Sequence, residues 1–497
     1  MEVSSQKWVH FIAIGGTGMG ALASMLKKSG WMVTGSDHPL YPPMSDFLKE
    51  QNIEVRPFQK ENLLGQSWGL SVSHPSLVIV GNAISRGQVE AQFVEELLAQ
   101  SRTERRSFAE ALAHFAIQDK RSLVVAGTHG KTTTTSLLAW ALETAGMQPG
   151  FFIGGIPKNF GVGSRLGVGR VFASEGDEYD TAYWDKGSKF LHYKAHWALV
   201  TGIEFDHADI YPNVHDVEAS FVRLAGRIRE GCVLIDVSSA PRHGSVEVMR
   251  AALESAGKQF VRYGTNPHSQ YQLMGVHSHP LPWKPEQVGT LLSLRLRDES
   301  WRLYSPLSGQ HNALNVLGVI AILMESGVTW DEQLAQKWLQ SFSGVKRRQD
   351  LVFESPSLMV MDDFAHHPTA IRETLAAIRQ AYPKRKLAAF FEARSATSSR
   401  KVMQADFEKS FDQADAVFLS PPSKTNVPSS EKMNVEELAT ALRGRLGNRP
   451  VYVASEIEDL VRSFGKLLAD QSSWMALVMS NGPFGNIHQR LAELSRK

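Results

Sequence analysis

The stretch Gly127–Thr135, GTHGKTTTT, restricts the fold of this chain more than any other. It follows the apolar run Leu123-Val124-Val125-Ala126 and opens a segment in which Leu138, Ala141, Leu142 and Ala145 recur at helical spacing until Gly146. Strand, glycine loop and helix are therefore expected in that order. A phosphate chain is strongly anionic, and unpaired backbone N–H groups at a helix N-terminus bind it where side chains are missing. Gly127 and Gly130 give that access, with Thr128 and His129 between them. Lys131 would place a point charge on the β- and γ-phosphates, and the hydroxyl of Thr132 or Thr133 can ligate the Mg2+ that travels with them. The spacing is G-x-x-G-K-T, because Val125 stands where the longer consensus has its first glycine. The residues read as an ATP-type site, against a plain threonine-rich turn from strand to helix. A lysine on a surface loop is expected to contribute little to stability.

A second glycine turn lies upstream. Trp8–Ile14 leads as a strand into Gly15-Gly16-Thr17-Gly18-Met19-Gly20, a helical Ala21–Lys28 stops at Gly30, and a second strand, Trp31–Gly35, ends at Ser36-Asp37. A βαβ unit with a glycine-rich first turn and an acid after strand two binds dinucleotides or other diphosphates. Read as G-x-G-x-x-G, its first position is Ala13, and a nucleotide-diphosphate substrate explains the same residues as NAD would. Tyr41-Pro42-Pro43 then breaks the chain, and Leu77–Val80 is a further buried strand ending at Gly81-Asn82.

At 497 residues the chain is too long for one ordinary core, and the usual domain size suggests about three. Lys+Arg is 53 against Asp+Glu 51, so the charge balance gives no footprint for nucleic acid or an anionic membrane. The single cysteine, Cys232, excludes an intrachain disulfide framework and any multi-cysteine metal site. The N-terminal MEVSSQKWVHFIAIGG lacks the pattern of a signal peptide, and no apolar run approaches a membrane span, so a cytoplasmic location is expected.

Beyond the phosphate loop, glycines from Gly154 to Gly169 are too dense for a helix and suggest a loop that borders the ligand or merely the surface. The strand Val171–Ala173 runs into Ser174-Glu175-Gly176-Asp177-Glu178-Tyr179-Asp180, and the strand Ala198–Ile203 into Glu204-Phe205-Asp206-His207-Ala208-Asp209. Carboxylates and an imidazole at strand C-termini, where open α/β sheets place ligands, suit Mg2+ or Mn2+; a solvated acidic turn and a salt-bridged histidine are the plain alternatives. The pattern loosens from Gly231 to Ser305, except for a hairpin around Asp298-Glu299-Ser300. Gly309-Gln310-His311-Asn312 caps an apolar helix, Ala313–Met324, where Asn312 is a cap or an adenine reader. Gly344-Val345-Lys346-Arg347-Arg348 reads as a hinge with a basic cluster, or as a solvated linker. Strands at Leu358–Phe364, Leu387–Glu392, Ala416–Ser420, Val451–Ala454 and Trp474–Met479 alternate with helices as a doubly wound parallel sheet. The first of them ends in DDFAHHP, which makes Asp363 and His366 candidates.

GTHGKTTT, SEGDEYD, IEFDHAD, GQHNALN, GVKRR and DDFAHHPT, in this order, together resemble the ATP-dependent Mur ligase family, and GGTGMG matches its branches that take UDP-N-acetylmuramate. The fold expected is α/β in three domains: a Rossmann-like unit at 1–118 for the UDP substrate, a P-loop ATPase-like α/β unit at 119–344, and a Rossmann-like doubly wound sheet at 345–497. The resemblance implies a bacterial ligase that joins UDP-N-acetylmuramate to L-alanyl-γ-D-glutamyl-meso-diaminopimelate in peptidoglycan recycling, through an acyl phosphate. The sister activity, addition of a single L-alanine, is the alternative. It also implies ATP and Mg2+, with Gly127, Thr128, His129, Gly130, Lys131, Thr132, Thr133, Asn312 and Arg348 at the nucleotide. Thr132, Glu175 and His207 are placed at the metal, and Lys131, His207, Arg348, Asp363 and His366 at the chemistry. Gly15, Gly16, Thr17, Gly18, Met19, Asp37, Asn82 and Arg394 are expected at the substrates. Partners are small molecules, without nucleic acid or membrane.

Three departures from the family pattern stand out: Gly202 where asparagine is usual, and Ala393 and Ala396 beside the acceptor site. Several members carry a carbamylated lysine after the Asp-His motif, yet no lysine occurs here between Lys194 and Lys258, so Glu218 is expected to supply the missing carboxylate. A nicotinamide oxidoreductase predicts an acid or base near the first glycine turn, and a non-catalytic regulator predicts damaged phosphate motifs; neither is found in the sequence.

Overall fold

The computed structural model describes residues 7–41, 44–236, 245–422, 427–470 and 472–495. Pro42 and Pro43, read as a chain break, lie outside them. Among the described residues three large sheets follow one another along the chain, with a two-stranded ribbon, Asp180–Ala182 and Asp185–Ser188, beside the central one in sequence. The first is fully parallel, with Glu54–Arg56, Met32–Ser36, Trp8–Ile12, Leu77–Val80 and Glu104–Ser107 side by side. Trp8–Ile12 and Leu77–Val80 are buried throughout, which suits strands covered on both faces. The first strand ends at Ile12 rather than Ile14, because Ala13 turns to φ +66° and its N–H bonds Ser36 O at 2.9 Å. A helix, Thr17–Lys28, starts directly behind the glycine turn.

The central sheet has ten strands, and Arg121–Ala126, which feeds the phosphate loop, lies between Trp197–Val200 and Val171–Gly176. The hairpin expected around Asp298 is present as Lys284–Leu296 and Glu299–Ser305. The stretch that looked irregular also contains Gly231–Ile235, Gln259–Gly264 and Tyr271–Leu281. The last of these pairs antiparallel with Lys284–Leu296, and its second half is solvent-exposed and polar, so no apolar face marks it in the sequence.

In the third sheet, Leu358–Asp363, Trp474–Met479, Lys386–Glu392, Ala416–Ser420 and Val451–Val453 are parallel, but Asp350–Glu354 adds an antiparallel edge to the wholly parallel sheet that was expected. Alternate side chains of one strand serve opposite layers. Leu387 and Ala389 meet Ile371 and Leu375 on one face, while Ala388 and Phe390 meet Leu460 and Phe464 on the other.

The first two sheets share a continuous apolar core. Gly18 is pressed against Phe108 and Phe152, so that a Cβ there would lie 3.2 and 3.1 Å from their rings. The third sheet enters through a tightly turned linker in which Gly344, Arg347 and Gln349 have φ +86°, +62° and +47°. This linker is pinned to the central unit, since Lys158 N–H bonds Gly344 O and Lys346 N–H bonds Ile156 O. Among the described residues, no helix is long and apolar enough to cross a membrane.

Candidate active site

The phosphate loop is shaped by close backbone approaches. Gly127 has φ +127°, and a Cβ there would lie 2.8 Å from Gly202 O, whose carbonyl accepts the Thr128 N–H at 2.9 Å. Gly202 itself has φ +142°, a conformation that disfavours any residue with a side chain, the asparagine expected from the family pattern included. Gly130, φ +78°, precedes the helix Lys131–Thr144 and packs on Asn315. The helix has no side-chain cap, which leaves its first N–H groups directed at the cleft.

Two side-chain clusters diverge from this helix start. In one, Thr132 Oγ1 donates to Glu175 Oε1 at 2.9 Å, Gly154 N–H donates to Glu175 Oε2 at 2.7 Å, and Arg348 Nη2 reaches Thr132 Oγ1 at 3.1 Å. The glycine-rich stretch thus borders the cluster. Burial holds the Glu175 carboxyl above its usual range and pulls Arg348 below its own. In the other, Lys131 Nζ donates to Gly127 O at 2.6 Å and lies 2.8 Å from Glu178 Oε2, and His207 Nε2 is 3.0 Å from Glu178 Oε1. Burial opposes the His207 imidazolium, but Asp206 and Glu178 outweigh it and raise its pKa to about 9. Burial likewise opposes the Lys131 charge, and Glu178 with Asp177 overcomes it. Lys131 is therefore not a lysine on the surface: its side chain is 13% exposed and neutralises a buried acid.

Ligand atoms of Asp177, Glu178 and His207 lie within 4.8 Å of one another. Carboxylates, a threonine hydroxyl and one imidazole are a donor set that fits a hard divalent cation. Glu178 was overlooked as an individual residue, although the acidic run around it was legible. Glu218 is not brought here: its carboxylate pairs with His215 one helical turn away at 2.8 Å.

A cleft opens between the central and third sheets, lined among others by His129, Gly130, Thr133, Asn312, Arg348 and Asp363. Asn312 donates to Ser308 O at 2.8 Å and its carbonyl faces Asn315. Asp363 accepts the N–H groups of Gln349 and Ala365 at 2.8 and 2.7 Å, and burial raises its pKa. His366 bonds the Phe364 carbonyl at 2.9 Å, and burial lowers its pKa. Asn315 and Gln349 also line the cleft and had no signal beyond their neighbourhood.

At the first sheet, Gly15 N–H donates to Asp37 Oδ2 at 2.6 Å. The N–H groups of Thr17, Gly18 and Met19 precede the first intrahelical bond, Gly20 N–H to Gly16 O. The Met19 side chain goes into the core and leaves the turn only its backbone. Asn82 is half-buried beside Gly81, which packs on Ala13. In the third sheet Arg394 is 41% exposed and 3.8 Å from Glu392, over Gly482. Ala393 is fully buried in the core of that sheet, so its departure from the family pattern does not face the cleft.

Family models match in chain order: Mur ligase family, catalytic domain at 8–119; Mur ligase middle domain at 125–323; and Mur ligase, glutamate ligase domain at 347–482. The UDP-N-acetylmuramate–L-alanyl-gamma-D-glutamyl-meso-2,6-diaminoheptandioate ligase of Haemophilus influenzae is 35% identical over 496 residues, 98% of this chain and 99% of that protein. The crystal structure of a murein peptide ligase from Psychrobacter arcticus is similar at a TM-score of 0.67 and 28% identity, covering 98% of both chains. UDP-N-acetylmuramate-alanine ligase from Thermotoga maritima shares the fold at a TM-score of 0.73 and 22% identity, covering 98% of this chain and 99% of that one. With three large sheets in this order and relatives matched over 98% of its length, the chain belongs to the Mur ligase family and is a ligase.

Proposed function

We propose that this ligase joins the lactyl carboxylate of UDP-N-acetylmuramate to the α-amine of L-alanyl-γ-D-glutamyl-meso-diaminopimelate with cleavage of ATP to ADP and phosphate, in the bacterial cytoplasm. The observation that carries the reading is the pair of buried clusters at the start of the phosphate-loop helix, Thr132 with Glu175 and Arg348 and Lys131 with Glu178 and His207, in a chain 35% identical over 98% of its length to a protein of that name. The units are taken as 1–118, 119–344 and 345–497.

The carboxylate attacks the γ-phosphate, and the resulting acyl phosphate is attacked by the amine through a tetrahedral intermediate. Both steps gather negative charge on phosphoryl or acyl oxygens, so fixed cations and backbone donors do most of the catalytic work. On phosphate arrival Lys131 exchanges Glu178 for the β- and γ-oxygens, and Arg348, held over the Phe364 ring 4.7 Å from its centroid, faces the same charge from the third unit. Mg2+ held by Thr132, Glu175 and His207, with Glu178 beside them, would neutralise phosphoryl charge. Asn312 faces the base, and Asp363 with His366 completes the far wall. The free N–H groups at Thr17–Met19 take the diphosphate of UDP, with Asp37 shaping that turn and Asn82 beside it.

The test is product analysis by mass spectrometry. UDP-N-acetylmuramate, the tripeptide and ATP should give an adduct of the first two less one water, with one ADP released per adduct. ADP release without the adduct would overturn the reading.

A further inference from the structure

We propose that Glu204 is a positioning residue that makes the order of the phosphate loop and the docking of the third sheet one event. The inference rests on the nucleotide site proposed above and adds the residue that couples its two walls.

Glu204 follows the strand Trp197–Val200, and its side chain is only 7% exposed. Its backbone is locked to the loop by a reciprocal pair: the Glu204 N–H donates to Thr128 Oγ1 at 2.8 Å, and Thr128 Oγ1 donates to Glu204 O at 3.2 Å. Its carboxylate then spans the interface. Oε2 faces His129 Nε2 of the loop at 2.8 Å, while Oε1 accepts from Thr369 Oγ1 of the third unit at 3.2 Å. His367 of that unit packs beside them, its ring centroid 4.5 Å from that of His129 while its Nδ1 accepts the Thr369 N–H at 3.3 Å. The His129 carbonyl is held in turn by Thr201 Oγ1 at 2.5 Å.

Both ends of this bridge lead to the cleft. His129 adjoins Gly130, where the phosphate-binding helix begins. His367 caps the helix Pro368–Ala381, whose Ala370, Glu373 and Thr374 line the opposite wall. A buried carboxylate with partners on two bodies favours the state that satisfies both, because desolvating it without those bonds is unfavourable. Undocking of the third sheet removes the Thr369 side of the bridge and the His367 ring packed beside it, and exposes Glu204 to water. A nucleotide that fixes the loop then favours docking, and docking favours the nucleotide, by the same factor.

The variants are Glu204→Ala, Glu204→Gln, Thr369→Val and the double Glu204→Ala/Thr369→Val. The readouts are calorimetric affinity for a non-hydrolysable ATP analogue, affinity for UDP-N-acetylmuramate, and the change in radius of gyration on adding the analogue, all without acceptor. Glu204→Ala should weaken the analogue about tenfold and abolish the nucleotide-dependent contraction, with UDP-N-acetylmuramate affinity unchanged. Thr369→Val, on the other body, should shift both in the same direction, and the double variant should be no worse than Glu204→Ala. Glu204→Gln, which keeps one acceptor and one donor, should lie between Glu204→Ala and wild type. Additive losses, or a Thr369→Val variant with wild-type affinity and contraction, would overturn the coupling, and the second result decides even where Glu204→Ala fails to fold. A wild type that binds no ATP analogue would instead remove the nucleotide site itself.

Discussion

Lys131 Nζ lies 2.8 Å from Glu178 Oε2 and donates to the carbonyl of Gly127 at 2.6 Å, so the cation of the phosphate loop is held by the loop itself and by an acid beyond Glu175 on the same strand end. The ammonium thus neutralises Glu178 and pins the loop until phosphate arrives.

Lys131→Ala should therefore do two things. Ligation should fall by at least about a hundredfold, as expected when a principal cation at the phosphoryl group is lost. Stability should also fall, by about 3 kcal/mol, because removing one partner leaves Glu178 buried with only His207 opposite. Urea denaturation beside steady-state ligation separates the two effects, and unchanged turnover would remove Lys131 from the site.

The carboxylates make a second comparison. Glu178 sits with Asp177 and His207, whereas Glu218 is turned to His215. Glu178→Gln should raise the Mg2+ concentration for half-maximal ligation by about tenfold or more, and Glu218→Gln should leave it within about twofold. A Mg2+ titration of both variants gives the answer directly; the reverse order would restore Glu218 as the metal carboxylate.

His207 gives a pH signature. Its folded pKa of about 9 stands above the ordinary histidine value of 6.5, so the stability it contributes is fully present below 6.5 and is lost as pH rises through 9. Lys131 is raised above an ordinary value of 10.5 and loses its share only at higher pH, while Asp206 and Glu178 are lowered and lose theirs only in acid. Between pH 6.5 and 9.5 the unfolding free energy should decline in the wild type and decline less in His207→Gln, where His129, whose pKa burial lowers but Glu204 raises above the ordinary value, still contributes. An identical slope in both would assign it to another group.

What the sequence revealed follows from the range of the forces involved. Local patterns disclosed the glycine turns, the apolar strands of the third sheet and the acids at strand ends, because each is written within a few neighbouring residues. Tyr271–Leu281 escaped because half of it is exposed. The partners of Lys131 escaped because they arise from where two strand ends meet in space. Nothing in GTHGK announces that the ammonium turns back to Gly127 O or that Glu178 receives it. The apposition of His129, Glu204 and Thr369 belongs to tertiary docking and has no periodic trace.

Arg394 tests acceptor recognition. It stands at the C-terminal edge of its sheet, 3.8 Å from Glu392, while Ser480 Oγ donates to Glu392 at 2.7 Å and keeps that carboxylate occupied. A fork-shaped guanidinium free to swing toward a peptide carboxylate can bind it bidentately. Arg394→Ala should lower kcat/KM for the tripeptide by roughly a hundredfold and that for L-alanine only slightly. Equal small losses on both acceptors would leave Arg394 as a surface partner of Glu392.

The most direct measurement is the acceptor preference of the wild-type enzyme. Steady-state ligation with saturating ATP, Mg2+ and UDP-N-acetylmuramate is compared between L-alanyl-γ-D-glutamyl-meso-diaminopimelate and L-alanine. The proposed function requires a kcat/KM for the tripeptide at least about a hundredfold above that for L-alanine. A preference for L-alanine would contradict it and make the chain a single-amino-acid ligase on the same fold.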